Sequence, residues 1–543
     1  MCFSYHDIGD IPFSNGKTLK ELLIYDGLSY WWCCKPALIA DFWKNDNARF
    51  GILPKLHFYC SKYFGFVEDI VDVIANFCVR ISDIEFQSNI MTDNGEQNKK
   101  IIFRASTSRW IVSKDMHNIT LPYYDGIISH LPKTLIPEMI ITDVPTPDVF
   151  RKYRMISKKC KFKVRASTLY YSPETRSRVS ASRRFFRSIW DEIKSDSKWF
   201  ECISPVVGLD TVTLRQKMEY FLLCTCPLTA RYNYLTESML QKEKPTGIML
   251  TGEQSLIGTG WVFLAKKYNV PLIGLQHGIL LDDVKDNTYL QHNKDDINLN
   301  MRLQSHPLPD LTLVYGTADY DMLVNRAYYP PNRVKITGNP KYDVVPYYLT
   351  SRKEILQKYN IQAENKKIIL WATQSHALSM DEALIYMRVI FSAVSSSQNL
   401  KLLIKPHPAE GEDMMQLYHE EQKKYPDLDV TYFTGTDNTS ELISISDLVI
   451  VRNSTVGQEA IAFQKPLVVL DVSENPDAGM FVKEGVAVGV YNPDNLSTAI
   501  CELLDDDTCI STAREEYISK YLYKVDGQSA KRCVDCLLSL INQ

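Results

Sequence analysis

The chain has 543 residues, of which 45% are hydrophobic and 23% charged, and its formal net charge is −4. This composition excludes a disordered, collagen-like or long coiled-coil protein, and the length suits two to four domains of about 100–200 residues each. No run of about 18 apolar residues occurs, and the start MCFSYHDIGD has neither a basic leader nor an apolar core, so a cytoplasmic protein is expected.

In chain order, TLKELLIYDGLSYWWCCKPALIADFWKN has helix-like apolar spacing and many aromatics, which predicts helices packed on a core. A polar stretch, DNGEQNKK, then leads into a strand at Ile101–Phe103. Between Arg151 and Arg187 stand thirteen Lys or Arg against one acid, Glu174. The segment carries +12 and leaves −16 on the rest of the chain. With Phe162, Phe185 and Phe186 interleaved, it fits an anionic membrane surface or a polyanionic acceptor, or else a solvated face whose bases pair with acids elsewhere. No nucleic-acid-binding signature accompanies it, and no nucleic-acid partner is expected. The thirteen cysteines read as reduced thiols, and the pair Cys533/Cys536 lies in an apolar-periodic helix where packing accounts for it.

Beyond a helical stretch at LRQKMEYFLLCTCPLTARYNYLTESMLQKEKP, strands and helices alternate. TGIMLTGE, VPLIGLQHG, DLTLVYG and NRVKITGNP read as strands, and from Lys366 so do KKIILWATQ, LKLLIKPHP, DVTYFTG, DLVIVRNS and KPLVVLDV. Near-continuous apolar strands separated by amphipathic helices mean parallel sheets covered on both faces. The two runs part near residues 338–350. The expected fold is therefore α/β, two Rossmann-like domains facing each other across a cleft. Residues 1–337, with the helical N-terminal part and the basic segment, form the first, and residues 338–543 the second.

Open parallel sheets bind ligands beyond the carboxyl ends of their strands. The residues at those ends are Glu253, Gln276-His277-Gly278, Gly338-Asn339-Pro340, Gln374-Ser375-His376, Lys405-Pro406-His407-Pro408 and Asn453-Ser454-Thr455. Two prolines fix φ on either side of His407, so Lys405 and His407 project in defined directions and suit a phosphate. Ser454 or Thr455 caps the helix TVGQEAIAF, and free N–H groups at such a helix start attract anions. Glu459, one turn on, is placed to accept ribose hydroxyls. The Asp-x-Asp candidate Asp427-Leu428-Asp429 precedes its strand rather than following it, and a catalytic metal is not expected.

KPHP, NSTVGQEA followed by KP, and TGNPKYD together resemble the nucleotide-binding half of GT-B glycosyltransferases of the bacterial surface-polysaccharide group. That group includes sialyl- and Kdo-transferases and CDP-glycerol glycerophosphotransferases, and the non-hydrolysing UDP-N-acetylglucosamine 2-epimerases share its architecture. Glu253, GWVFLAKKYNVPLIGLQHG and LVYG resemble the acceptor-side half, so the match spans roughly 245–500. The resemblance implies that Lys405, His407, Ser454 and Thr455 meet donor phosphates, that Glu459 meets the ribose, and that Gly338 and Asn339 lie near the donor at the domain crossing. Glu253 and His277 are the candidates for activating an acceptor hydroxyl, with His407 at the departing phosphate. The epimerases carry Ser-Gly-Gly where this chain has Ser454-Thr455-Val456, and the glycerophosphotransferases Trp-His-Gly where it has Gln276-His277-Gly278. The expected activity is transfer of a sugar from a nucleotide-sugar donor to a capsule or O-antigen type acceptor, by an inverting, metal-independent step. Such an enzyme needs no cofactor, since the nucleotide sugar is a substrate. The acceptor is a glycan, with a lipid-linked one in view, and the basic segment 151–187 would hold the enzyme at the inner face of the cell membrane. A 2-epimerase, a glycerophosphotransferase and a non-catalytic GT-B scaffold are the alternatives.

Overall fold

The apolar runs pair with one another in parallel and form two sheets. A computed structural model describes residues 5–42, 99–106, 110–112, 119–143, 147–280, 288–292, 294–297, 305–363, 365–435, 437–473, 476 and 479–542. Residues 93–98 of the expected polar stretch and 43–45 of the aromatic N-terminal stretch lie outside these. Leaving aside two-residue ribbons, the strands of the first sheet are β1 (Lys99–Ala105), β2 (Leu135–Ile141), β3 (Lys163–Ala166), β4 (Gly247–Thr251), β5 (Leu272–Leu275), β6 (Leu311–Val314) and β7 (Val334–Ile336). Those of the second are β8 (Lys367–Ala372), β9 (Leu400–Lys405), β10 (Val430–Tyr432), β11 (Leu448–Val451), β12 (Leu467–Leu470) and β13 (Val488–Val490).

The spatial orders are β7-β6-β5-β4-β1-β2-β3 and β10-β9-β8-β11-β12-β13, all parallel. Each sheet starts in its middle, winds outward to one edge, then returns and winds to the other. This is the doubly wound Rossmann arrangement, and it leaves a crevice where the order reverses, between β1 and β4 and between β8 and β11.

The side chains alternate as the two-residue period of a strand requires. Leu370, Leu403, Val449 and Val469 pack on one face of the second sheet. Ile369, Leu402, Ile450 and Val468 pack on the other. The first sheet divides likewise between Ile102, Ile140, Ile248 and Leu250 on one side and Ile101, Met139, Met249 and Ile273 on the other. The aromatic N-terminal stretch forms the helix Tyr30–Phe42, whose Tyr30, Trp31 and Trp32 enter the first of these clusters.

Strands β2, β3 and the short edge strand β13 have no counterpart among the expected elements. Pro137 and Glu138 interrupt the apolar pattern of β2, and β3 lies inside the basic segment. Glu138 is buried because Arg165 of β3 pairs with it at 2.8 Å. Arg165 also pairs with Glu243, which accepts from Tyr170 at 3.0 Å. Arg178 pairs with Glu237 at 2.7 Å. Part of the +12 is thus absorbed by acids of the same half, while Lys159, Lys161 and Arg184 are exposed. Among the described residues no helix is long and apolar enough to cross a membrane.

One feature departs from the expected division at residue 337. The helix α1 (Ser529–Ile541) returns to the first sheet, where Ala530, Cys533, Val534 and Leu537 join the cluster of Ile101, Phe103 and Met249. A Cβ on Gly247 would meet Ile541 Cγ2 at 3.0 Å and Leu537 Cδ1 at 3.5 Å, so the bare backbone at the start of β4 seats this helix. The Asp343 carboxylate, in the first crossing between the sheets, accepts from the N–H groups of Ser529 at 2.9 Å and Ala530 at 2.7 Å. Arg532 donates to the Thr337 carbonyl at 2.7 Å. The two crossings are therefore tied together by a helix cap. Replacing fully buried Leu537 with Ala is expected to lower stability by about 2–5 kcal/mol, measured by urea denaturation.

Candidate active site

The carboxyl ends of both sheets open on a cavity of about 880 Å³. The second half supplies Lys341, Lys405, His407, Ser440, Ser454 and Glu459 to it, and the first half Thr120, Pro122, Asp125 and His130. At the reversal of the second sheet, the Gln374 side chain bridges the ends of β8 and β11. Its Oε1 accepts from Asn453 N at 2.6 Å and its Nε2 donates to Asn453 O at 2.8 Å.

His407 is fixed by its turn. Its N–H donates to Thr373 Oγ1 at 3.3 Å, and that hydroxyl donates to Glu410 at 2.6 Å. Glu410 also accepts from Ser375 N at 2.8 Å and Tyr418 OH at 2.9 Å, with its side chain fully buried. The N–H of Ala409 donates to His407 Nδ1 at 3.1 Å, so the neutral ring carries its proton on Nε2. The ring stacks on His376, 3.9 Å between centroids. Burial and the neighbouring His376 hold His407 below the usual histidine range, so near neutral pH it is an uncharged N–H donor.

Lys405 lines the cavity but its ammonium donates to the carbonyls of Pro406 at 3.0 Å and Gly435 at 2.9 Å. Burial pushes its pKa down to about 8. Glu459 is buried and pairs with Lys341, and Ser440 Oγ lies 3.4 Å from its second oxygen. Ser454 faces the cavity and its Oγ accepts from Val456 N at 3.2 Å. Lys405, His407, Ser454 and Glu459, distant in sequence, thus share one cavity.

Other expected site residues lie elsewhere. Thr455 is exposed, lies outside the cavity lining and makes no side-chain cap bond. Gly338 adopts φ +78°, and a Cβ there would meet Ser529 Oγ at 2.6 Å, so it serves the seat of α1 rather than a ligand. Asn339 is buried and its Oδ1 accepts from Lys341 N at 3.0 Å, which makes it a turn former that places Lys341. Glu253 is buried, with its carboxyl over Gly274, whose added Cβ would meet it at 2.7 Å. One of its oxygens accepts from Tyr289 OH at 2.6 Å, and burial raises its pKa. It lines neither this cavity nor the second one described next, so it is not the group that meets an acceptor hydroxyl.

His277 lines a second cavity of about 430 Å³ at the ends of β4 and β5, with Gly252, Gln254 and Tyr289. The segment Thr120–Gly126 stands between the two. Pro122 and Asp125 face the larger cavity, while Tyr123 OH donates to the His277 carbonyl at 2.9 Å. Asp125, absent from the sequence-derived set, is the cavity carboxyl with the clearest titration. Burial pushes it up to about 6, against the Leu121 N–H that donates to it at 2.7 Å. Its only sequence signal is an acid in a short stretch between strands, indistinguishable from any surface aspartate. Glu410, two residues beyond KPHP, was likewise hidden, because its partners Thr373 and Ser375 lie more than thirty residues earlier.

The family model for UDP-N-acetylglucosamine 2-epimerase matches residues 300–538. No curated protein matches the chain. Among solved structures, a UDP-GlcNAc 2-epimerase from Neisseria meningitidis, bound to UDP-GlcNAc, is similar at 13% identity and a TM-score of 0.52, covering 81% of this chain and all (100%) of that one. The S. aureus MnaA–UDP co-structure aligns at 17% identity and a TM-score of 0.47, over 82% of this chain and 98% of that one. A variant of the wall teichoic acid polymerase TagF aligns at 13% and 0.46, over 89% and 99%. The chain has the GT-B fold, two Rossmann-like sheets with their carboxyl ends on a shared cavity. Across residues 300–538, less than half of its length, it is similar to the UDP-N-acetylglucosamine 2-epimerase family model.

Asp125 makes a thermodynamic prediction. With a folded pKa of about 6 and an ordinary value of 3.8, the native state binds this proton more tightly than the unfolded chain does. Stability should therefore fall as pH rises from about 4 to about 6, by on the order of 2 kcal/mol. Urea titrations across that window should show the fall in the wild type and its loss in Asp125→Asn.

Proposed function

We propose that the larger cavity binds a nucleotide sugar and that the chain transfers the sugar to a hydroxyl of a surface-polysaccharide acceptor. The observation that carries this reading is the pairing of cavities. One, lined from both halves, gathers an imidazole N–H donor, lysines, hydroxyls and a buried carboxylate, the set that phosphates and a ribose need. The other lies at the strand ends of the first half, across the Tyr123 wall, where an acceptor can enter. Transfer needs room for two substrates, and these two cavities adjoin at Tyr123.

In this reading the departing phosphate gains charge as the glycosyl bond breaks, and His407 Nε2–H and the Lys405 ammonium take it up without a metal. Glu459 accepts the ribose hydroxyls. Asp125, titrating near the operating pH, takes the acceptor proton as its oxygen attacks from the opposite side of the anomeric carbon, which inverts the linkage. His277 lines the acceptor path. The exposed bases Lys159, Lys161 and Arg184 lie on the same half, suited to an acidic or lipid-linked acceptor at an anionic membrane.

The match of residues 300–538 favours a second reading, isomerisation of a UDP-sugar at C2. NMR of UDP-GlcNAc incubated with the protein and no acceptor separates the two. Appearance of a 2-epimer establishes isomerisation, and sugar consumed only with added glycan supports transfer. His407→Ala should lower the rate by about 10²–10³-fold with the fold intact by circular dichroism. Unchanged turnover removes His407 from the step. Sedimentation with vesicles containing anionic lipid should show binding that falls steeply with salt, and salt-independent binding would discard the membrane contact.

A further inference from the structure

The cations of the larger cavity differ in what holds them. Lys405 is bound to two backbone carbonyls. Lys358 is bound to both oxygens of Glu441, at 2.9 and 2.6 Å. Lys341 stands apart because it belongs to the first crossing between the sheets, not to a strand end. Its backbone N–H is fixed by Asn339 Oδ1, while its side chain reaches Glu459 in the helix Val456–Ala462. Although burial opposes its charge, Glu459 lifts its pKa above the usual lysine value. The pair is unequally covered, with the lysine side chain 25% exposed and the glutamate 4%. Both residues line the larger cavity, the lysine more openly than the glutamate.

We propose that Lys341 is a phosphate-binding residue of the donor site, which exchanges Glu459 for a nucleotide's phosphate. The proposal rests on the sugar-nucleotide reading and adds to it a residue with a defined ligand. A phosphate group offers more charge and more acceptor oxygens than one carboxylate oxygen, so the exchange favours the ligand. Separating a buried ion pair is costly when one charge is left alone. Here Glu459 is not left alone, because Ser440 Oγ is already near its second oxygen and the ribose hydroxyls of the same ligand donate to the first. One ligand thus satisfies both partners of the pair it separates. Lys341 also lies near Tyr123, whose hydroxyl is on the His277 carbonyl, so the exchange takes place where the two cavities adjoin.

The test uses the full chain and ligand-observed NMR. The tightest binder among UDP, CDP, CMP and GDP is titrated beside its own nucleoside. Lys341→Met should weaken the nucleotide about tenfold or more and leave the nucleoside unchanged, as expected for loss of a charged phosphate contact. Lys341→Arg should retain most nucleotide affinity, and keeps the test available if the methionine variant does not fold. Glu459→Gln should weaken nucleoside and nucleotide alike. If Lys341→Met weakens both ligands equally, the lysine only positions Glu459 and the proposal fails. Unchanged nucleotide affinity in Lys341→Met, or its loss in Lys341→Arg with the fold intact, overturns it as well. If the wild type binds none of the four nucleotides, the sugar-nucleotide reading itself fails, a result distinct from the others.

Discussion

Parallel strands cannot be joined by a tight turn, so each connection crosses the sheet and starts from a carboxyl end. When the winding reverses in the middle of a sheet, two neighbouring connections leave in opposite directions and the backbone between them parts. Both sheets meet this constraint at their centres, between β1 and β4 and between β8 and β11. Several of the residues that the second sheet brings to the larger cavity follow from its strand ends. The KPHP turn, the Asn453–Ser454 turn and the Gln374 bridge stand at strand ends because that is where the chain has to change direction.

Within the cavity, charge is stored in pairs. Lys341 with Glu459 and Lys358 with Glu441 keep each ion satisfied. The groups that titrate near neutrality are those whose burial is not compensated by a strong ion pair. Asp125 is pushed up to about 6 and Lys405 down to about 8. The two walls of the cavity differ in how they treat charge. The first half presents a carboxyl that is easily protonated, and the second half presents donors.

The sheets were largely legible in sequence because fully buried parallel strands write themselves as short apolar runs. All nine strands read from the alternating part of the chain are present. Strands β2 and β3 were not legible, since their polar positions are buried by each other. Glu138 belongs in a core only once Arg165 lies opposite it, and no local pattern announces that partner. The site follows the same logic. That His407, Ser454 and Glu459 would face one cavity could be read because turn chemistry and helix starts are local. Glu253 misled for the same reason: its strand-end position is real, but its carboxyl turns inward over Gly274. Gly338 suited a close approach, and the group approaching is a helix made nearly two hundred residues later. Asp125 and Glu410 depend on walls assembled from distant segments.

That late helix has a consequence for how the protein is made. The face of the first sheet lined by Ile101, Phe103 and Met249 receives Cys533, Val534 and Leu537 as part of its cover. During synthesis from the N-terminus, those residues emerge only after all six strands of the other sheet. The early half therefore waits on the ribosome with an apolar surface incompletely covered, a state prone to wrong association. Contacts of such long sequence separation also close slowly. The nascent chain is thus most in need of chaperone protection while its second half is being translated, well after its first half has its strands.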